Sequence, residues 1–368
     1  MNDRRLTRAR LHSRLTAVLL VGLLGCIGAR AETPLSTLRI LGRTPLPPGH
    51  SMAMDLRWAG DDSVYVTRAI DGVFEMGLDG ARRKVMVPGF KAVASASCCD
   101  RLAVSDKALA VATRIWTLSW RPRRAEPDRS FLLEQAGAVT TEDMDLQGDR
   151  VLLLGIQNLD VFKRDGAVAW LGSLGSKLED MKPVLYDKAG AGAPNYYACR
   201  HHGLGAARFL PDGSFVIAPG FESGVRLFNA EGRQVRSWTG REIGVDTDCS
   251  GMSEQDEKDF RLKHEVWHRW LNRHRSVDDI LPLPEGPSLL VRSLGEDGRV
   301  HWELKVLSGE RVTTYVVPIE GARPTDQLHG DVRGDRIALL LSASAFSGKP
   351  VDSDPQGEVI LLRVPQPR

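Results

Sequence analysis

Three groups of residues in this chain have types and spacings that could do chemistry. His264-Glu265-Val266-Trp267-His268 spells HExxH. On a helix the two histidines stand one turn apart and can share a zinc ion while the glutamate polarises its water. His274 falls where the extended form of that motif places a third ligand, yet Leu271 stands in place of the glycine that turns the chain back, and Arg261 and Arg269 flank the motif. If the helix runs on, His274 points about 80° away from His264 around its axis. The motif therefore reads first as part of an amphipathic helix and only second as a zinc site.

The second group is Asp246, Asp248, Ser250, Glu254 and Glu257, in the run Asp246-Thr-Asp248-Cys-Ser250-Gly251 with Glu257 six residues beyond the glycine. Alternate oxygen ligands, a glycine for the sharp turn and a closing carboxylate suit calcium. Ser253 stands where a calcium loop carries an apolar residue, and it could instead cap a helix whose first turn is acidic. The third group is dispersed: His50, Asp55, Asp145, His201, His202, Asp279 and His329, accompanied by Asp143, Asp278 and Asp331, each at or near the start of an apolar run. Histidines and carboxylates that converge can hold a metal or a small polar ligand. They can equally satisfy backbone groups around a water-filled tunnel.

What must position these residues is a repeat. An apolar strand, a tight acidic or glycine turn and a second apolar strand recur at 56–66, 102–111, 144–153, 208–217, 280–291 and 332–339. Most are followed by a further hairpin, at 73–87, 161–171, 225–238 and 302–316, with Asp79-Gly80, Asp165-Gly166, Glu231-Gly232 and Ser308-Gly309 at the turns. Two hairpins make a four-stranded antiparallel unit, and units of this kind in series predict the blades of a β-propeller. The sixth unit has no clear last strand after Glu358–Val364, and the orphan strand Ser36–Gly42 is free to supply it. Closing the ring in this way removes exposed sheet edges. The expected fold is all-β: one six-bladed propeller over residues 32–368, closed by an N-terminal strand and carrying one helical insertion.

On these blade spacings and turns, residues 35–365 resemble the exported bacterial six-bladed propellers of the NHL and TolB-like type. That resemblance implies a fold and leaves the activity open. Glu285-Gly286-Pro287 is similar to the metal-binding E-G-P of six-bladed lactonases, but it falls in a turn between strands, and no asparagine or aspartate partners can be matched to it. Residues 176–200 and 240–278 interrupt the rhythm, the second with a helix expected from about Glu254 to Arg273. Both interruptions fall in connections between successive blades, which emerge on one face. Tyr186, Tyr196, Tyr197, Trp267 and Trp270 would join the histidines there.

The compartment is legible at the start of the chain. Residues 1–31 carry six Arg against one Asp, and the uncharged run Leu15–Ala29 is too short to span a bilayer. Ala29-Arg30-Ala31 offers cleavage before Glu32, while Leu23-Leu24-Gly25-Cys26 offers lipidation at Cys26 instead. A periplasmic or secreted protein is expected, or a membrane-anchored lipoprotein. No other stretch is long and apolar enough to be a transmembrane segment. Without residues 1–31 the chain has 43 Lys+Arg against 46 Asp+Glu, a balance that argues against nucleic acid as a partner. Cys98, Cys99, Cys199 and Cys249 remain. Cys199–Cys249 is the preferred disulfide because these two residues bracket one repeat, with free buried thiols as the alternative. A Gly-x-Ser-x-Gly elbow, a phosphate loop and a dinucleotide fingerprint are absent. The expected function is a binding module for a partner protein, peptide or small polar ligand. The alternative is a metal-dependent hydrolase or lyase working at the channel mouth.

Overall fold

A computed structural model describes residues 35–47, 53–68, 72–85, 101–112, 118–122, 131–132, 139–157, 166–176, 180–186, 205–220, 222–247, 255, 259, 264–343 and 357–365. The expectations resting on residues 1–31 with Cys26, on His50, His201 and His202, on Asp248, Ser250, Glu254 and Glu257, on Tyr196 and Tyr197, and on Cys98, Cys99, Cys199 and Cys249 lie outside the described residues.

The strands pair into five four-stranded sheets and one of five strands. We number them in chain order of their innermost strands. Sheet 1 runs Ala53–Trp58, Ser63–Arg68, Gly72–Gly77 and Arg82–Val85, and sheet 2 runs Arg101–Val104, Ala108–Ala112, Leu118–Pro122 and Phe131–Leu132. Sheet 3 is Val139–Gln147, Arg150–Gln157, Ala167–Ser173 and Lys182–Tyr186, and sheet 4 is Ala206–Phe209, Phe215–Ala218, Val225–Phe228 and Gln234–Trp238. Sheet 5 is Ser276–Leu283, Gly286–Leu294, Val300–Ser308 and Arg311–Val317, with Ser36–Thr37 added in parallel at its outer edge. Sheet 6 is Asp326–Arg333, Arg336–Ala343 and Glu358–Arg363, with Ile40–Pro45 antiparallel as its outer strand.

Each innermost strand lies against those of the sheets before and after it, and Asp326–Arg333 lies against Ala53–Trp58. The apolar core is divided accordingly, with one cluster between each neighbouring pair of sheets. Leu102, Leu109 and Val111 meet Tyr65 and Val73 between sheets 1 and 2, and Phe209, Phe215 and Phe228 meet Leu152 and Leu154 between sheets 3 and 4. Because a sheet covers either side, second strands such as Ala108–Ala112 and Phe215–Ala218 are buried on both faces and are continuously apolar rather than alternating. This is the architecture of a β-propeller, with helix confined to the short turn Gly240–Ile243 and to His264–Leu271 among the longer described elements.

Three expectations are corrected. The strand expected over Ser36–Gly42 is two strands on different sheets, with Leu38 buried between them in the cluster shared by sheets 5 and 6. In sheet 3 the Asp165-Gly166 pair precedes the third strand instead of separating it from the fourth, and the fourth strand, Lys182–Tyr186, lies inside the segment read as an insertion. Glycine at φ 82 suits a turn, but a turn residue does not say which pair of strands it joins. Sheet 2 has the second hairpin that the sequence did not reveal, because its last strand, Phe131–Leu132, is only two residues long and follows a stretch rich in proline and arginine.

Candidate functional site

A β-bulge in every second sheet sets the chemistry at the axis. The register between first and second strands slips between Ala53 and Asp55 in sheet 1, between Thr141 and Asp143 in sheet 3, and between Val277 and Asp279 in sheet 5. The first strands of sheets 2, 4 and 6 pair without a slip. An inserted residue re-aims the side chain that follows it, and in all three sheets that side chain is an aspartate. Each reaches the innermost strand of the next sheet. Asp55 Oδ2 accepts from the Leu102 amide at 2.8 Å, Asp143 Oδ2 from Ala207 at 2.8 Å and Asp279 Oδ2 from Gly330 at 2.9 Å.

Arginines join these carboxylates. Arg57 donates through Nη1 to Asp55 Oδ1 at 2.7 Å, and its Nη2 lies 3.8 Å from Asp143 Oδ1. Arg208 donates through Nη1 to Asp143 Oδ2 at 2.5 Å and through Nη2 to Asp279 Oδ1 at 2.7 Å. The third side, from Asp279 back towards Asp55, is made by His329 and Arg101. His329 Nδ1 is 3.9 Å from Asp279 Oδ2, and its Nε2 is 3.5 Å from Arg101 Nη1. Two guanidinium groups, Arg57 and Arg208, therefore bridge three carboxylates, all buried, while Arg101 donates to the Glu142 carbonyl beside His329. The arginines were not singled out in the sequence. Their signal is a charge in the middle of an apolar strand, as in Leu56-Arg57-Trp58 and Ala207-Arg208-Phe209.

Burial and the arginines pull the titrations apart. Burial pushes the Asp279 carboxyl up to about 6 against the pull of Arg208 and Arg57. Asp145, whose Oδ2 accepts from the Phe209 amide at 2.8 Å, is likewise pushed by burial up to about 6. At Asp55 burial acts in the same direction, but the arginines, Arg57 first and then Arg208 and Arg101, outweigh it and hold that carboxyl below the usual range. Burial, then the charge of Arg101, pushes His329 down to about 3, so its ring is neutral at ordinary pH. The structure thus brings together Asp55, Asp145, Asp279 and His329 from the sequence expectation, tying Asp55 and Asp279 to backbone amides and arginines and Asp145 to a backbone amide. Among the described residues no group of three or more His, Cys, Asp or Glu is placed to hold a metal ion.

The long connection between sheets 4 and 5 is a separate feature. Thr239 and Glu242 form a capping box on Gly240–Ile243, and Gly244 ends that helix at φ 65. A stem follows. The Asp246 amide donates to the Arg275 carbonyl at 3.1 Å, the Arg275 amide returns to Asp246 Oδ1 at 2.5 Å, and Thr247 Oγ1 donates to the Arg275 carbonyl at 3.2 Å. Arg275 also reaches the Gly244 carbonyl through Nε and Glu303 through Nη2. Asp246, the first residue of the calcium-like loop, is therefore part of a clamp, and His274 Nδ1 lies 3.1 Å from the Asp246 carbonyl oxygen. The helix His264–Leu271 buries Trp267 and Leu271, and Trp270 packs on the cluster between sheets 3 and 4. His268 of the HExxH run is buried edge-on against the Trp267 ring. Glu285 sits at the turn between the first two strands of sheet 5, as the sequence places it, and Gly286 opens the second of them, while Tyr186 is exposed at the end of its strand.

No family model and no curated protein matches the chain. Solved structures do. It is similar to the WD40 repeats of RRP9, with 10% identity and a TM-score of 0.51 over 89% of this chain and 100% of that one. It is similar to regucalcin of Agrobacterium tumefaciens str. C58, described as a calcium-binding protein, with 12% identity and a TM-score of 0.52 over 89% and 95%. A DUF4221 family member from Bacteroides vulgatus gives 9% identity and a TM-score of 0.50 over 89% and 98%. The likeness is one of fold, and the fold is that of the β-propellers.

Proposed function

We propose that the chain is an extracytoplasmic, six-bladed β-propeller that binds a partner protein, peptide or small polar ligand on the face where the connections between sheets leave. Each sheet counts as one blade, and the pairing of Ile40–Pro45 with Glu358–Arg363 supports closure by an N-terminal strand. The observation that carries the reading is the division of labour between axis and rim. Asp55 and Asp279 are held by amides and arginines and Asp145 by an amide, whereas the connection from Thr239 to Arg275 leaves and re-enters through a clamped stem. Long connections on rigid blades suit recognition. A lactonase-like hydrolase or lyase would need acids at the mouth that are not already committed to the backbone, and these three are committed.

The basic leader with its short apolar run supports export, and the likeness to NHL and TolB-like exported propellers belongs to the same reading. So do His50, His201 and His202 as ligand contacts, a lipid anchor at Cys26, the disulfide Cys199–Cys249, and calcium held by the segment from Asp246 to Glu257. The test replaces residues 248–273 by a short Gly-Ser linker between Thr247 and His274, which leaves the stem in place. The shortened chain, without the buried Trp267 and Leu271, should melt lower but still cooperatively, and should lose the partner that cross-linking identifies with the intact chain. Equal capture by both would defeat the reading.

A further inference from the structure

We infer that His329 is locked as a neutral ring with its one proton on Nδ1, and that this lock directs acid at the axis to the bond between Arg208 and Asp279. The lock comes from the two neighbours of the imidazole. Nε2 lies 3.5 Å from Arg101 Nη1. A guanidinium has only N–H donors and is not deprotonated in proteins, so the nitrogen that faces it is the bare one. Arg101 is itself fixed, donating through Nε to the Glu142 carbonyl at 2.5 Å and through Nη1 to the Met54 carbonyl at 3.4 Å. On the other side Nδ1 lies 3.9 Å from Asp279 Oδ2, and a carboxylate favours the nitrogen that carries hydrogen. Both neighbours select the same tautomer. The opposite one sets Nε2–H against Arg101 and a lone pair against Asp279. This inference stands on contacts at the axis and goes beyond the reading of the connecting loops as a binding face.

Proton bookkeeping at Asp279 gives the consequence. Its Oδ1 accepts from the Ile280 amide at 2.7 Å and from Arg208 Nη2 at 2.7 Å. Its Oδ2 accepts from the Gly330 amide at 2.9 Å and faces His329 Nδ1. Among the described residues these hydrogen-bond and ion-pair contacts are all donors, so a proton added to either oxygen meets another hydrogen. One donor has to leave. The two amides are fixed in their strands, and His329 cannot turn a lone pair towards Asp279 without setting Nε2–H against Arg101. Arg208 can leave, because its Nη1 keeps Asp143 Oδ2 and the Ala207 carbonyl. Neutralising Asp279 also removes the charge that draws Arg208 there. Arg57, Asp143 and Asp55 complete the charged surroundings of Asp279. Burial raises Asp279 to about 6, whereas the arginines hold Asp55 low and burial holds His329 at about 3. As pH falls through about 6, Asp279 takes its proton before either of them, and Arg208 passes to Asp143 alone.

Nitrogen-15 NMR of the full chain, labelled at histidine and arginine, tests both halves between about pH 7.5 and 4.5. The His329 signals are those that His329→Gln removes. They should show one proton, on Nδ1, with Nε2 bare throughout. Exchange of the Arg208 guanidinium protons, measured against those of Arg57 at each pH, should rise at least about tenfold as Asp279 is protonated, because Arg57 stays on Asp55. Arg101→Gln removes the cation facing Nε2 and should raise the proton affinity of His329 by about tenfold or more. Four results overturn the inference: a proton on Nε2, a second proton on His329 within this range, a constant ratio between the two arginines, or an unchanged His329 in Arg101→Gln. If a variant does not fold, sequential assignment of the unaltered chain identifies the ring, and its tautomer and the arginine ratio decide alone.

Discussion

The axis and the stem of the connection between sheets 4 and 5 use the same device, an aspartate accepting a backbone amide, in opposite surroundings. At the axis Asp279 is buried, shared between the Gly330 amide and Arg208, and shifted by burial. In the stem Asp246 is 63% exposed and grips Arg275 across the base of a long excursion. The lesson is that acid-rich segments cannot be ranked as binding sites by composition. Water can compete for the exposed grip, whereas the buried one is cooperative with its arginines and expensive to break.

The comparison can be broken at four points. The largest effect should come from removing residues 32–45, which strips the outer strand from sheet 6 and the cover from Leu362 and Ile360. We expect aggregation or loss of a cooperative melt in calorimetry, and an unchanged melt would disprove closure by this strand. Next, Arg208→Ala leaves Asp143 and Asp279 buried without their shared cation and should cost about 3–5 kcal/mol in urea denaturation. A cost below 1 kcal/mol would mean that the arginine is dispensable to the lattice.

The third test is pH. Asp145, Asp278 and Asp279 are each raised by burial from 3.8 to about 6. A raised carboxyl contributes stability that is complete below 3.8 and is lost as pH rises through about 6, at most about 3 kcal/mol per group. The lowered Asp55 acts the other way, contributing stability above the ordinary carboxylate range and losing it in acid. His329, pushed down to about 3, also opposes the three raised carboxyls, its contribution being gained as pH rises towards 6.5. Three carboxyls outweigh one imidazole, so urea midpoints should fall between about pH 4 and 6, and Asp145→Asn should flatten that fall. A midpoint that rises over this range would refute the assignment. The smallest effect is expected at the stem, where Asp246→Ala should cost about 1 kcal/mol. If calcium titration shows binding by the intact chain that Asp248→Ala removes, the exposed acids have a second use that the axis lacks.

Much of this was legible in the sequence. The turn signals around Asp61-Asp62, Asp212-Gly213 and Gly334-Asp335 mark first hairpins that the structure contains. The acids Asp55, Asp143, Asp145, Asp278 and Asp279 stand out as a set. Their use does not, because it depends on a bulge one residue upstream, and the register between strands is not written in either strand alone. Arg57 and Arg208 were passed over for a related reason: a single charge within an apolar strand looks like a surface position until a sheet is placed on each side. The second hairpin of sheet 2 and the fourth strand of sheet 3 were missed where short strands give period-two patterning too few residues to register.

The pairing of Ile40–Pro45 with Glu358–Arg363 also bears on how the chain reaches its fold. Arg43 and Glu358 are ion-paired across 315 positions of sequence. A contact of such long range pays its loop-closure entropy before it gains anything, and contacts of this kind slow folding. During synthesis the strand at 40–45 emerges before its partner at 358–363, so Ile40 and Leu41 wait without their sheet while the sheets between them can form in order. Until these two strands meet, Glu358–Arg363 is an unprotected edge open to another copy of the chain.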